Sequence, residues 1–452
     1  MSPAGTRERS GPLDEDGAHW LLRPRPGVTM LPAGHGETAV IRHPWGALGV
    51  HAADPAVRHL LTSVTTGPLH ISGLTDPYHR LPAWSRPLLQ RSLFVHGEPL
   101  FTAVPVTDAA VRPRTPACPP GAVIRLSRYA ALRRGPDGME FTSPLSEARI
   151  HLHGPVALAA LADLAAPRLL QDPDPARAAL LRVLAVHGLL DHRPHSAHVF
   201  VEDTPPLADW EEHDLHAHVR GREGWHDHPA GAIPDPAAAE APPTPAASPS
   251  APPLDLPRTA LSPGPPLTAA LAARASVRVF SGAPTLDALG TLLHTVLAAT
   301  PRPGGGPPRR PYSSAGAAYA VRLHLLCDGT PLPAGAYRYD PHHHTLTHRP
   351  VPGLHRLLDR ASAAAGVTRR PPVLLVLTTR MRDLSRRYRS ICYRLALQEA
   401  GGIAQLLELT APAAGLGTCQ TALAHGGDTD AALGLDPLVE TSVTALLLGA
   451  PE

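Results

Sequence analysis

The chain has 452 residues, too many for one ordinary domain, so two or three domains are expected. Hydrophobic residues make up 43% but aromatics only 4%, so the cores should be packed from Leu, Ala and Val. A formal net charge of +2, with no long basic or acidic block, argues against a nucleic-acid partner or a membrane surface. The polar N-terminus lacks the apolar core of a secretory signal, and no run of about 18 apolar residues offers a membrane span. Cys118, Cys327, Cys392 and Cys419 have no CxxC spacing, which disfavours a disulfide scaffold or a zinc ribbon and fits a reducing cytoplasm.

In chain order, residues 19–52 alternate apolar and polar stretches and predict short strands. Residues 54–65 predict a helix capped by Asp54, and Ala83–Leu93 a second helix. Phe94–His96 and Pro99–Thr107 read as a hairpin. AVIRLSRYAALRR (122–134) and EARIHLHG (147–154) read as strands, and PVALAALADLA (155–165) as a helix. Residues 174–192 begin a strong amphipathic helix that stops at Gly188, with Ala178, Leu181, Val183, Leu184 and Val186 as its stripe. This order of strands, helices and a long helix running into a hairpin is that of a small winged helix. It recurs, so two tandem winged-helix-like units are expected, 19–112 and 113–200.

Residues 201–257 form a connecting segment, and a Pro/Ala/Ser-rich stretch at 229–266 predicts a linker or surface strap that cannot bury a core. From 258 to 452 the layout is α+β. LTAALAAR is a short helix, and Thr285–Ala299 is a capped helix with Leu286, Leu289, Leu292, Leu293, Val296 and Leu297 on one side. AVRLHLLCD is a strand, AYRYD and HTLTHRPV a hairpin, Gly353–Ala364 a helix and VLLVLTT a buried strand. Residues 392–411 form a long Ala-rich helix and VTALLLG the last strand, so a mixed sheet packed on a long buried helix is expected.

RASVRVF at 274–280 resembles the Arg-x-Ser-x-Arg-x-Phe entry of the nitroreductase superfamily. Two guanidinium forks and a hydroxyl on one short segment suit a phosphate and a ring edge that gains negative charge. YSSAGAAYAVRLHLL (312–326), GAYRYDPHHHTL (335–346), RRYRSICYRLALQEAGGIAQLLELTAPAAGLGTC (386–419), LGLDPLVETSVTALLLG (433–449) and WEEHDLHAHVRGREG (210–224) resemble, in order, segments of its SagB-type branch. That branch comprises FMN-dependent azoline dehydrogenases, which oxidise thiazolines and oxazolines in ribosomally made peptides to thiazoles and oxazoles.

The resemblance implies FMN held by Arg274, Ser276, Arg278, Ser314, Gly316, Gln405 and Gly417. It implies a homodimer, since flavin sites of the superfamily are built across one. It also implies a precursor peptide as substrate, a possible cyclodehydratase complex, and a catalytic pair at Arg387 and Tyr388. The family has Lys where Arg387 stands. Arg cannot act as a base near neutral pH, but a neighbouring cation can favour the phenolate of Tyr388. The family's Pro before the Ser is Ser313 here, its His after Glu-Ala-Gly is Gly402, and QTALAHGGD replaces its Gly-Gly-Phe stretch after Cys419. Two other readings follow from these departures: a non-catalytic scaffold or peptide-binding subunit of the same complex, and a flavin oxidoreductase acting on another substrate. His213, His216, His218, His226 and His228 are not expected to bind metal, and His342–His344 lie on a hairpin turn where solvent exposure is expected.

Overall fold

Alternation of apolar and polar residues from Ala18 onward produces strands, because successive side chains of an extended chain point to opposite faces. In the computed structural model, residues 17–31, 38–44, 46–51, 55–106, 118–135, 138–221, 252–259, 261, 264, 266–305, 308–367, 369–421 and 426–452 are described. The chain divides into two units, Met1–Ala230 and Gly231–Glu452, and the division falls inside the Pro/Ala/Ser-rich stretch. The expected Asp54 cap, His226, His228 and residues 229–251 of the expected linker lie outside the described residues.

In the first unit, β1 (Ala18–Pro24) is followed by a small sheet of β2 (Thr29–Leu31), β3 (Thr38–His43) and β4 (Gly46–His51). After α1 (Pro55–Thr66) come β5 (Leu69–Ser72), β6 (Leu89–Val95) and β7 (Glu98–Pro105). The segment 83–93 is not a helix: Ala83–Ser85 is a single 3-10 turn and β6 begins at Leu89. Leu89, Arg91 and Leu93 are buried in alternation, a period of two that outweighs the apolar count once Pro87 breaks the run. The β6–β7 hairpin turns at His96 and Gly97, both at positive φ, as a tight hairpin requires.

The segment 122–134 splits into β8 (Val123–Leu126) and β9 (Ala131–Gly135). Then follow β10 (Gly138–Thr142), β11 (Ala148–Leu152), α2 (Gly154–Ala162), β12 (Arg168–Leu169), α3 (Pro175–Val186), β13 (Leu190–Arg193) and α4 (Glu212–Arg220). Asp174 caps α3 by accepting from the Ala176 and Arg177 N–H groups. The buried face of α3 is Ala179, Leu180, Leu181, Val183 and Leu184, rotated from the expected stripe, and Val186 faces solvent. Strands from both halves join one seven-stranded sheet in the order β5-β1-β6-β7-β11-β10-β9, with β7 paired to β11. One core, including Trp20, Phe101, Ile124, Ile150 and Leu184, likewise draws on both halves.

The second unit opens with β14 (Leu254–Asp255), an edge strand paired to Leu346 and Thr345, so the end of the expected linker is part of the sheet. It continues with α5 (Leu267–Ala273), β15 (Phe280–Gly282) and α6 (Leu286–Leu297), whose N-cap Thr285 side chain accepts from the Ala288 N–H. After these come β16 (Val321–Cys327), β17 (Gly335–Asp340), β18 (Thr345–Arg349), α7 (Leu354–Ala364), β19 (Val373–Thr379) and α8 (Met381–Ser385). The unit closes with α9 (Cys392–Thr410), β20 (Gly417–Thr421), α10 (Gly426–Leu433) and β21 (Thr441–Pro451).

The sheet order is β14-β18-β17-β16-β19-β21-β15, with β20 also on β21. Every described pairing in it is antiparallel, so the expected mixed sheet is corrected on strand sense. Tight connections join β16 to β17 and β17 to β18, and such connections reverse the chain. Both faces of the sheet are covered. Val321, Leu323, Leu325, Leu375 and Leu446 pack with Leu289, Ile403 and Leu407 of α6 and α9, while Leu326, Leu374, Val376 and Leu447 pack with Leu358 and Leu433 of α7 and α10. Central β19 is buried at every residue, as its unbroken apolar sequence requires. No helix among the described residues is long and apolar enough to cross a membrane.

Candidate active site

Helix α9 organises the site. Its buried face, from Cys392 through Ala396, Glu399, Ala400, Ile403 and Ala404 to Leu407 and Glu408, follows the helical period. A carboxylate inside such a face needs partners. Glu399 has two: its Oε2 accepts from the Ser314 hydroxyl at 2.5 Å and its Oε1 from the Val321 N–H at 3.1 Å. Burial pushes the Glu399 carboxyl above its usual range, against the pull of the Ser314 and Val321 hydrogen bonds. The Ser314 hydroxyl also accepts from the Tyr319 N–H at 2.8 Å. Ser314, Glu399 and β16 are thereby tied together. Sequence reasoning missed Glu399, whose signal is a lone carboxylate recurring on the apolar stripe of an Ala-rich helix.

The turn that follows Ser314 is left-handed at Gly316, Ala317 and Tyr319. Its outer partner is the α8–α9 connection. The Arg387 guanidinium donates to the Gly316 carbonyl. Tyr388 packs its ring against Ala320, Leu384, Cys392 and Ala396. A Cβ on Gly316 would stand 2.8 Å from the Tyr388 hydroxyl and 3.3 Å from Arg387 Nη1, so glycine is needed both for its φ of 56° and for this approach. Ser314, Gly316, Arg387 and Tyr388, read from separate segments, therefore meet in one place. Gly316→Val is expected to displace the Tyr388 hydroxyl and to cut any turnover that depends on it at least tenfold, or about 1.4 kcal/mol. Steady-state rates of the variant test this.

A second group forms around the chain entering β15. Val277 donates to the Thr418 carbonyl at 2.8 Å and packs so closely on Gly417 that a Cβ there would meet it at 2.8 Å. Ser276 hydrogen-bonds the Cys419 thiol, and Cys419 is buried, which pushes its thiol up. Arg274 and Arg278, both exposed residues, flank this anchor. Arg274 lies 3.8 Å from Glu408, and Arg278 donates to the Ala365 carbonyl at 3.1 Å. Two guanidinium forks and a hydroxyl on one anchored segment fit a phosphate-bearing flavin.

The two groups attach to α9 at different points. Glu399 and Glu408 mark them on α9, nine residues apart, or about 13 Å of helix. Gln405 lies between them on the exposed face. His344, expected to be solvent-exposed, is buried instead: it bonds the Tyr339 hydroxyl at 2.8 Å and the Pro257 carbonyl at 3.0 Å, pinning β14 to the hairpin. His342 and His343 are exposed as expected. Among the described residues no group of three or more potential metal ligands gathers.

Residues 271–450 match the sequence model of the nitroreductase family, and residues 124–227 match that of the cyanobactin oxidase ThcOx. The second unit is thus a nitroreductase-family oxidoreductase domain. The chain thus pairs a nitroreductase-family segment with a cyanobactin-oxidase segment. No curated protein matches the sequence. Among solved structures, a protein described as a nitroreductase from Ralstonia eutropha JMP134 is 24% identical over 50% of this chain and 99% of its own, with a TM-score of 0.38. The Escherichia coli microcin synthetase McbBCD complex, with truncated pro-MccB17 bound, gives 23% identity over 40% of this chain and 73% of that chain, with a TM-score of 0.35. A protein described as a nitroreductase from Desulfovibrio desulfuricans, in complex with FMN, gives 18% identity over 41% and 87%, with a TM-score of 0.29.

Proposed function

We propose that the protein is an FMN-dependent dehydrogenase that oxidises azolines to azoles in a ribosomally made precursor peptide. The observation that carries this reading is the meeting of Tyr388 with the Ser314–Gly316 turn inside a nitroreductase domain whose chain also carries a cyanobactin-oxidase segment. Arg274, Ser276, Arg278 and Gly417 would hold FMN from one side, and Ser314 and Gly316 from the other, with Gln405 beside them. Bound FMN supplies the two-electron acceptor for the hydride lost from the former β-carbon. Tyr388 takes the proton from the former α-carbon of the ring. Arg387, fixed on the Gly316 carbonyl, holds the turn against Tyr388.

The separation of the two residue groups along α9 supports a homodimer, in which the second copy brings its own Arg274 segment to this Tyr388. Tyr393 and Leu397 on the outer face of α9 are 49% and 44% exposed, and Leu271 and Leu438 are 54% and 90% exposed. Apolar exposure of this extent fits a surface covered by a partner. The N-terminal unit, read as tandem winged-helix-like halves at 19–112 and 113–200, would bind the precursor peptide or a cyclodehydratase.

One observation favours a different reading. Arg stands where the family has Lys, and its guanidinium is engaged with a backbone carbonyl, as in a protein that keeps the fold as a scaffold. Incubation of the protein with FMN and an azoline-bearing peptide separates the two. Loss of two hydrogens by mass supports the dehydrogenase, and an unchanged peptide together with no flavin binding supports the scaffold. Flavin reduction by some other substrate, with the azoline untouched, would point to a different oxidoreductase.

A further inference from the structure

A cleft of about 460 Å³ opens in the second unit beside the Ser314–Tyr319 turn. Its rim shares Ala318 and Tyr319 with that turn and includes Asp383 of α8, just before Arg387. Three arginines reach it: Arg310, Arg322 and Arg338. Two carboxylates also line it, and both are already engaged. Asp383 pairs with Arg322 at 3.3 Å. Asp340 accepts from the His342 N–H at 2.8 Å and faces the His343 ring at 2.9 Å. Arg322 is further held by Glu440 at 3.3 Å.

Arg310 and Arg338 are different. Arg310 donates to the Tyr312 hydroxyl at 2.6 Å and lies 4.8 Å from the centre of the Tyr319 ring, so neutral groups hold it in place. Among the described residues no carboxylate pairs with Arg310 or Arg338. Burial lowers the pKa of Arg322, Glu440 raises it, and repulsion from Arg338 and Arg380 lowers it further, so the positive charges at this cleft are crowded. Leu297, Pro308, Val321 and Leu323 supply its apolar wall, and His342 and Thr347 line it as well. A pocket of this size with a partly apolar wall and two guanidinium forks outside any carboxylate ion pair suits a short side chain ending in a carboxylate, which guanidinium binds with paired charge-assisted hydrogen bonds.

We propose that this cleft binds an acidic side chain of the precursor peptide, with Arg338 and Arg310 as the carboxylate-recognising residues. The proposal rests on the peptide-substrate reading, because the rim is continuous with the Ser314–Tyr388 site, but it does not require that the peptide be oxidised.

The test uses the FMN-loaded full chain and two fluorescein-labelled heptapeptides without azolines, identical except for one central Glu or Gln. Anisotropy titrations are expected to give about tenfold tighter binding of the Glu peptide, as one charge-assisted pair provides. Arg338→Ala and Arg310→Gln, each checked for an unchanged melting curve, are expected to bring the Glu peptide down to the affinity of the Gln peptide. Equal binding of the two peptides by the unaltered protein would overturn the proposal. So would a Glu preference that survives in both variants. Competition by free glutarate at the affinity of the Glu peptide would also overturn it, by showing a site for a free dicarboxylate. Failure of the azoline reading looks different: the peptide preference persists while an azoline peptide keeps its mass.

Discussion

Replacing Tyr388 with Phe is expected to lower turnover of an azoline peptide by about 10²–10⁴-fold while FMN stays bound, the usual cost of losing a positioned general base. The substitution removes only the hydroxyl. The ring keeps its packing on Ala320, Leu384, Cys392 and Ala396, so the fold should be unaffected. The neighbouring groups that could substitute are committed elsewhere. Arg387 cannot release its proton near neutral pH. Both Glu399 oxygens accept hydrogen bonds, from Ser314 and from Val321. Cys392 is raised by burial and donates to the Tyr388 carbonyl at 3.1 Å. The check is a steady-state rate together with a flavin absorption spectrum of the variant. Full activity in Tyr388→Phe removes Tyr388 as the base.

Glu440→Ala is expected to destabilise the second unit by about 3–5 kcal/mol, the range for breaking a buried ion pair from one side. Glu440 is buried at the start of β21 and gathers three strands: Oε1 accepts from His324 at 3.0 Å and from the Thr378 hydroxyl at 2.7 Å, and Oε2 faces Arg322 at 3.3 Å. Its removal takes this partner from the His324 imidazole and the Thr378 hydroxyl and leaves Arg322 paired with Asp383 alone. Burial alone would raise this carboxyl, but the His324 hydrogen bond, the His324 and Arg322 charges and Thr378 bring it down to about 2. A folded pKa below the ordinary value of 4.5 means that the unfolded chain binds the proton more readily. The stabilisation is therefore complete above about pH 4.5 and is lost as the pH falls towards 2. Denaturant melts between pH 7 and pH 3 should show this slope in the unaltered protein and a flatter one in Glu440→Ala.

The second unit was the more legible half of the sequence. The leucines of α6, the unbroken apolar run of β19 and the Ala-rich face of α9 each carry one strong period, and each forms the element expected. Leu89–Leu93 forms a strand and not the expected helix because its apolar residues fit either period over so short a span, and the sheet decided between them. Strand sense was not legible, since the periodicity of one strand says nothing of the direction of its neighbour. Nor was the joining of both N-terminal halves into one sheet through β7 and β11, a pairing between residues distant in sequence.

At the site, motif residues were found but their grouping was not. Ser314 and Tyr388 are more than seventy residues apart; Arg387 on the Gly316 carbonyl joins their segments, and Glu399, whose part emerges only when α9 is seen to bury it, holds Ser314. Arg274, Ser276 and Arg278 read as the cofactor's phosphate fork, and the fold anchors them beside Gly417 and Cys419, about 13 Å along α9 from Tyr388's group. The proposed homodimer would close that gap with the Arg274 segment of a second copy.

The most direct test of the account is the absorption spectrum of the purified protein, read with the mass of the small molecule released on denaturation. A flavin spectrum and the mass of FMN, in about one equivalent per chain and lost in Arg274→Ala with Arg278→Ala, is the predicted result. A colourless protein that takes up no FMN when it is supplied would contradict the account and leave a scaffold built on an oxidoreductase fold.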